Sequence, residues 1–315
     1  MRVLVVGASG SVGRQLVPQL VAAGHHVTGT TRSPAKVDAL RAAGADPVVL
    51  DGLDAAATGE AVAKAAPEVI VYEATAIPEK LSFRKFDRTF GPTSLLRTAG
   101  LDHLLAAAAA QGVPRFIAQS YAGWPNARTG GPVKTEDDPL DSDPPPAMRA
   151  ALDAIRYLED KVTAAGGLAL RYGALYGPGS SAIFAGMLRR RQVPIIGSGA
   201  GIWSFLHVTD AAAATVAAVS TGAPGVYNIV DDEPAAVSEW LPVMARGAGA
   251  KPPLHVPAWI GKLAVGDAGV SMMTQIRGCS NVKAKAGLGW QPVWPTWREG
   301  FLHGLDRAYP ADADA

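Results

Sequence analysis

Apolar residues fall in short blocks along the chain, and successive blocks alternate between two periods. Val3-Leu4-Val5-Val6 is a continuous apolar run, as a strand buried on both faces requires, and Val12, Leu16, Val17 and Leu20 then recur at helical spacing. The alternation continues. Residues 26–31, 47–51, 69–73, 115–121 and 168–171 read as further strands, and residues 35–43, 55–65, 97–111 and 149–165 as helices between them. Strand and helix in unbroken succession predict an α/β fold, a doubly wound parallel sheet with a smaller carboxyl-terminal lobe. The alanine tract 106–110 is expected to form the buried face of its helix. Residues 124–146, rich in Pro, Gly and Asp, predict a long loop bordering a site.

The first strand turns into the first helix through Gly7, Ser9, Gly10, Ser11, Val12 and Gly13. Gly7 permits a tight turn, Gly10 leaves backbone N–H groups open to an anion, and Gly13 allows close packing of helix on strand. The helix N-terminus then faces a pyrophosphate, so a Rossmann-type dinucleotide site is expected. The spacing is GxxGxxG rather than the commoner GxGxxG. After the second strand come Arg32, Ser33 and Lys36, and the first acidic residue of the chain is Asp38. Positive charge without a carboxylate suits a ribose 2′-phosphate, so NADP(H) is favoured over NAD(H). Asp51 and Gly52 are placed to flank the adenine. Ala74 and Thr75 lie at the carboxyl end of the fourth strand, where open α/β sheets bind ligands.

Composition narrows the function classes. The chain has 315 residues, 48% of them hydrophobic, and a formal net charge of +1, so it can bury a full core and has no polyanion-binding bias. No nucleic acid or membrane partner is expected. No run reaches the roughly 18 apolar residues of a membrane span, and the apolar run after Met1 stops at Gly7, too short for a signal-peptide core. One cysteine, Cys279, allows no internal disulfide and fits a reducing compartment, here taken as cytoplasmic. Six histidines show no ligand spacing, so no metal is expected, and His207 reads as a structural residue. Ser9 lacks the glycine spacing of a nucleophile elbow. A monomer or homodimer acting on a small molecule is the simplest expectation.

Several further segments, in order, resemble the extended branch of the short-chain dehydrogenases/reductases, the NAD(P)-dependent epimerases and dehydratases. Leu170-Arg171-Tyr172-Gly173-Ala174-Leu175-Tyr176-Gly177-Pro178-Gly179 is similar to that family's "YGPG" turn near the nicotinamide, and Phe205-Leu206-His207-Val208-Thr209-Asp210 to its "FxHVxDxA" segment. Val226-Tyr227-Asn228-Ile229 is similar to its "YNI" strand, and Leu288-Gly289-Trp290-Gln291-Pro292 with Glu299-Gly300 to its "LGWxP" and "EG" pair. The resemblance implies a dinucleotide-binding domain over residues 1–177 with a returning segment near 205–232. It implies a substrate lobe from residues 178–204 and 233–315, whose tryptophans (Trp203, Trp240, Trp259, Trp290, Trp294, Trp297) suit an apolar pocket or simple packing.

The family's chemistry rests on Tyr-x-x-x-Lys in one helix and a Ser or Thr at the end of the fifth strand. The lysine lowers the tyrosine pKa, and the phenol exchanges a proton with the substrate. Tyr157 and Lys161 match the string but are read as a decoy. In the helix 149–165, Ala151, Ile155, Leu158 and Val162 form the inward stripe, and Tyr157 and Lys161 lie about 200° and 240° from Ile155 at ~100° per residue. Glu159 matches the family's Glu one turn after the lysine, which puts Ile155 and Ala151 in the lysine and tyrosine places. Ser120 and Tyr121 stand where the family has two serines, Tyr121 matching the catalytic one. Tyr121, Ser120 and Tyr172 are therefore the candidate catalytic hydroxyls, with Tyr176 a weaker one and Lys134 the only nearby cation in sequence. Tyr172 would also border the nicotinamide. The expected activity is NADP(H)-dependent reduction of a carbonyl or conjugated double bond in a small, fairly apolar substrate. A redox-neutral epimerase or dehydratase, or a non-catalytic dinucleotide sensor, stays open.

Overall fold

The computed structural model describes residues 1–78 and 82–307. Its centre is a seven-stranded parallel sheet: β1 Arg2–Val6, β2 His26–Thr31, β3 Asp46–Val49, β4 Val69–Tyr72, β5 Arg115–Tyr121, β6 Leu168–Tyr172 and β7 Gly225–Ile229, in the order β7-β6-β5-β4-β1-β2-β3. The order reverses between β1 and β4, which opens a crevice at their carboxyl ends. Pleating decides which core each side chain joins. Val3 and Val5 pack on α1 (Gly13–Ala22), while Leu4 and Val6 point to the opposite core. The remaining helices near the sheet are α2 Val37–Ala42, α3 Ala55–Ala65, α4 Phe86–Leu95, α5 Leu101–Ala110 and α6 Arg149–Ala164. Of these, α3, α5 and α6 supply Val62, Leu101, Leu104, Leu158 and Val162 to the second face.

A separate core carries the aromatic residues. It joins α7 (Ala182–Arg189), α9 (Val237–Gly247) and the helix Trp297–His303 through Leu188, Trp240, Trp297 and Phe301. Between α7 and α9, α8 (Val208–Ser220) returns to cover the first sheet face with Ala211, Ala214 and Ala218. Trp240, Trp290, Trp294 and Trp297 are buried packing residues, whereas Trp259, on α10 (Ala258–Thr274), is exposed.

Several expectations need correction. The helix expected over 97–111 starts as a π-helical turn, Leu96–Gly100, and is preceded by α4, which lacked a clean apolar period. The alanine tract is not a buried face. Only Ala108 of it is buried, because the stripe is carried by Leu101, Leu104 and Ala108. The third strand ends at Val49, short of Asp51, whose carboxylate turns back to accept the Leu53 amide at 3.1 Å. The long loop over 124–146 stands as expected, with Trp124 lining a pocket, and it is held by Arg128 Nε 2.7 Å from Asp141 and by residues 133–134 paired with 278–279.

Candidate active site

The turn after β1 is built for a close backbone approach. Gly7 has φ +96°, and a Cβ there would lie 2.8 Å from the Ala74 nitrogen; a Cβ on Gly13 would lie 2.4 Å from the Ala8 carbonyl. Gly10 is exposed, its amide donating to the Gly7 carbonyl at 3.0 Å. Ser11 and Val12 lead directly into α1, with the Arg14 amide donating to the Gly10 carbonyl at 3.0 Å and the Leu16 amide to that of Val12 at 2.9 Å, and no side chain caps the helix. Hydroxyls brace the turn against β2. Ser9 Oγ lies 2.8 Å from Thr31 Oγ1, which also accepts the Ser33 amide at 3.2 Å, and the Gly7 amide donates to Thr30 Oγ1 at 3.3 Å. Arg32 and Lys36 are exposed beside this turn, and Arg14, from α1, donates to the Ser9 carbonyl at 3.2 Å. Asp38 is turned to Arg41, 2.5 Å away. This glycine cradle, with Arg32 and Lys36 exposed beside it and Asp38 paired to Arg41, fits a dinucleotide phosphate group.

Three candidate hydroxyls meet different fates at the sheet's carboxyl end. Ser120 is buried and donates to Glu159 Oε1 at 2.6 Å, and Glu159 also holds Arg171 through two contacts of 2.8 and 2.7 Å. Tyr172 is fully buried under α8, its phenol donating to Glu73 Oε1 at 2.7 Å and bonded to Thr215. In this structure both hydroxyls are covered, Ser120 by α6 and Tyr172 by α8, and neither lines the pocket at the end of β5. Tyr121 occupies the last position of β5, where the cover ends. It is half-buried, its ring centre 6.3 Å from that of Trp124, and it lines a narrow pocket of about 10 Å³ with Trp124, Trp203, Ser204, Met272 and Ile276. Burial pushes its phenol up to about 12 against the pull of Arg97, so the group is neutral.

Helix α6 faces that region with hydrocarbon. Ala151 and Ile155 are buried among Phe86, Trp124, Met148 and Met272. Tyr157 points outward and donates to Asp102 of α5 at 2.7 Å, a bond that raises its pKa, and Lys161 Nζ sits 5.3 Å from the centre of the Tyr157 ring. Lys134 is buried and paired with Asp138 at 3.1 Å, and Tyr176 is buried in the aromatic core. Neither reaches Tyr121 as an activating pair. His207 caps α8, with Nδ1 2.6 Å from Thr209 Oγ1 and Nε2 3.0 Å from the Gly304 carbonyl; burial lowers it to about 4. Among the described residues no cluster could hold a metal ion, and no helix is long and apolar enough to cross a membrane.

Two buried ionisable side chains were missed by sequence reasoning. Glu73, just past β4, is 6% exposed and raised by burial to about 8, with Oε2 unpartnered. Arg97, in the π-turn, is 8% exposed. Both carried a signal: Glu73 ends an all-apolar strand, and Arg97 lies on the stripe of Leu101, Leu104 and Ala108. Beyond Ala74 and Thr75, a cleft of about 430 Å³ is lined by Ala76, Pro78, Ser82, Lys85, Arg88 and Thr89.

Residues 3–230 match the model of the NAD dependent epimerase/dehydratase family. The chain belongs to this family. Its enzymes are of the NAD(P)-dependent short-chain dehydrogenase/reductase type, and this chain is one of them. A Streptomyces protein named 3-diazoavenalumate denitrifying reductase is 43% identical over 309 residues, covering 96% of this chain and 99% of the relative. The UDP-glucose 4-epimerase of Mycolicibacterium smegmatis is 30% identical over 310 residues, covering 93% and 94%. Among solved structures, the UDP-glucose 4-epimerase of Thermus thermophilus in complex with NAD superposes with a TM-score of 0.73 at 23% identity, covering 99% of this chain and all of that one. The Thermotoga maritima UDP-glucose 4-epimerase gives 0.73 at 24%, covering 97% of each. These two likenesses establish the shared fold.

Proposed function

We propose that this enzyme is an NADPH-dependent reductase whose hydride acceptor is a diazo-type group on a small aromatic acid. The observation that supports the reading is the hydrocarbon face of α6: by the family resemblance Ala151 and Ile155 take the places of the proton-donating pair, and both are packed among apolar side chains, so the chemistry suits an acceptor whose hydride step needs no general acid. The relative's name, which specifies a diazo compound and a denitrifying reduction, supports the same class. NADPH, when bound, supplies the hydride. An arenediazonium ion gains that hydride at its terminal nitrogen and becomes an aryldiazene; its N–H proton is then released to solvent, the C–N bond breaks as N₂ leaves, and the ring carbon takes up a proton from solvent. Diazonium plus hydride thus balance as arene plus N₂, with no net proton and no oxidant consumed, and the hydride step itself needs no general acid. The residues of this chain position and exclude: Tyr121, Trp124, Trp203 and Met272 wall the pocket, and Phe86 packs against Trp124 behind them.

Carbonyl reduction is the second reading, favoured by the neutral phenol of Tyr121 at the pocket wall. The Tyr121→Phe variant separates the two, because losing a general acid lowers a rate ~10²- to 10⁴-fold. With 4-carboxybenzenediazonium under anaerobic conditions, parent and variant should both oxidise NADPH and release one N₂ per turnover, within a few-fold of each other. Reduction of aldehydes and ketones by the parent, lost in the variant, with no N₂ from the diazonium, would replace the first reading by the second.

The cofactor preference rests on Arg32, with Ser33 and Lys36 beside it and Arg14 behind. A charge-assisted contact to the 2′-phosphate is worth ~1.5 to 3 kcal/mol, roughly tenfold to a hundredfold in affinity. Arg32→Glu should reverse the preference for NADPH over NADH. Equal affinities in the parent would overturn it. The aromatic-rich core beyond the sheet, over residues 178–204 and 233–307, serves in this reading as the substrate lobe.

A further inference from the structure

Among the described residues, the buried cation Arg97 has no counter-ion within ion-pair distance. The π-turn that holds it has a local cause. The Leu96 carbonyl accepts both the Leu101 amide, five residues on, and the Tyr72 phenol, the latter at 2.7 Å. Gly100 leaves room for that phenol, since a Cβ there would lie 2.8 Å from its oxygen. Such turns occur disproportionately at functional sites. The turn keeps Arg97 on the inward stripe beside the carboxyl ends of β4 and β5, where its charge acts on Tyr72, Tyr121 and Glu159.

None of these neighbours neutralises it. Among the described residues Arg97 makes no hydrogen bond and no ion pair. The Glu159 carboxylate is already shared by Arg171 and Ser120. Tyr121 stays a neutral phenol, and the Tyr72 hydrogen is given to Leu96. Arg97 is only 8% exposed as a residue and makes no hydrogen bond, so its guanidinium carries a desolvation penalty that an arriving anion would offset. The approach has the matching sign, since Lys85 and Arg88 line the 430 Å³ cleft next to Ala76.

We propose that Arg97 is the anion anchor of the substrate site, forming a charge-assisted pair with the carboxylate of a small aromatic acid held against Tyr121. The proposal rests on the reading of the pocket as the reductase's substrate site, and it deepens that reading by naming the substrate's charged group. Planar guanidinium and planar carboxylate pair through two parallel N–H···O bonds, so arginine is the side chain such recognition selects. The oxyanion could instead be a cofactor phosphate, and the experiment separates the two.

Binding of cinnamate and of its neutral amide to the NADPH-loaded enzyme, followed by tryptophan fluorescence and calorimetry, reads the anchor without turnover. The parent should bind the acid roughly tenfold to a hundredfold more tightly than the amide, the range of a charge-assisted hydrogen bond. Arg97→Met should abolish the difference, and Arg97→Lys should keep part of it. NADPH affinity should be unchanged in both. Equal binding of acid and amide by the parent, or a preference that survives Arg97→Met, overturns the proposal. A loss of NADPH affinity in Arg97→Met with the acid preference intact assigns the anion to the cofactor and overturns it too. Should Arg97→Met not fold, the Arg97→Lys variant and the parent's acid-to-amide ratio still decide. A preference for the acid without any diazonium reduction would sink the diazo reading and leave the anchor standing.

Discussion

Glu73 offers a perturbation whose sign and size follow from its surroundings. Its carboxyl lies under the crevice between β1 and β4, with Oε1 bonded to Tyr172 and Oε2 to nothing, and burial raises it from an ordinary 4.5 to about 8. A carboxyl raised in the folded state contributes stability that is fully present below about 4.5 and is lost as pH rises through about 8. Between pH 6 and pH 9 the folded protein must give up a proton that the unfolded chain has already lost. At 1.36 kcal/mol per unit, the linkage integral over that interval comes to about 2.7 kcal/mol. Glu73→Gln keeps the shape and removes the titration. At ~2.1 cal/mol/K per residue, a chain of this length converts the difference to about 4 °C in Tm. Thermal unfolding from pH 5 to 9.5 in both proteins is the assay. The two should differ little near pH 5, and the Gln variant should gain about 4 °C on the parent between pH 6 and 9. Parallel curves would mean that Glu73 titrates alike in both states, and that the site beneath Gly7 is wetter than its burial implies.

Two other outcomes are expected. Gly10→Val should leave the circular dichroism spectrum unchanged, because its Cβ would approach only the Gly7 carbonyl, at 3.2 Å, yet it should abolish the thermal stabilisation given by NADPH; a retained thermal shift would place the phosphates elsewhere. Tyr157→Phe and Lys161→Met should each leave turnover within a few-fold of the parent, since their contacts run to Asp102 and to each other on the outside of α6; a hundredfold loss in either would restore the family's usual pair.

The nucleotide-binding half was legible in the sequence because its signals are local. A strand buried on both faces must be an apolar run, so β5 coincides with the expected 115–121 end to end, and a GxxGxxG turn needs its glycines whatever lies around it. The phase of α6 was legible for the same reason: an inward stripe of Ala151, Ile155, Leu158 and Val162 leaves only one face for Tyr157 and Lys161. Whether a hydroxyl at a strand end meets substrate is not a local property. Ser120 and Tyr121 are adjacent in sequence, but Glu159 from α6 claims one and the cover ends above the other. Tyr172 stands opposite Tyr121 on the neighbouring strand, yet α8, arriving from residues 208–220, buries it against Glu73. The two buried ionisable side chains follow the same division. Their residue types were visible in apolar company, but only the π-turn braced by Tyr72 and the packing of α8 decided that Arg97 has no ion-pair partner among the described residues and that burial raises the Glu73 carboxyl to about 8. Sequence fixes which faces are apolar because periodicity is written residue by residue; tertiary packing alone decides which polar groups are desolvated, because the atoms that exclude water come from elsewhere in the chain.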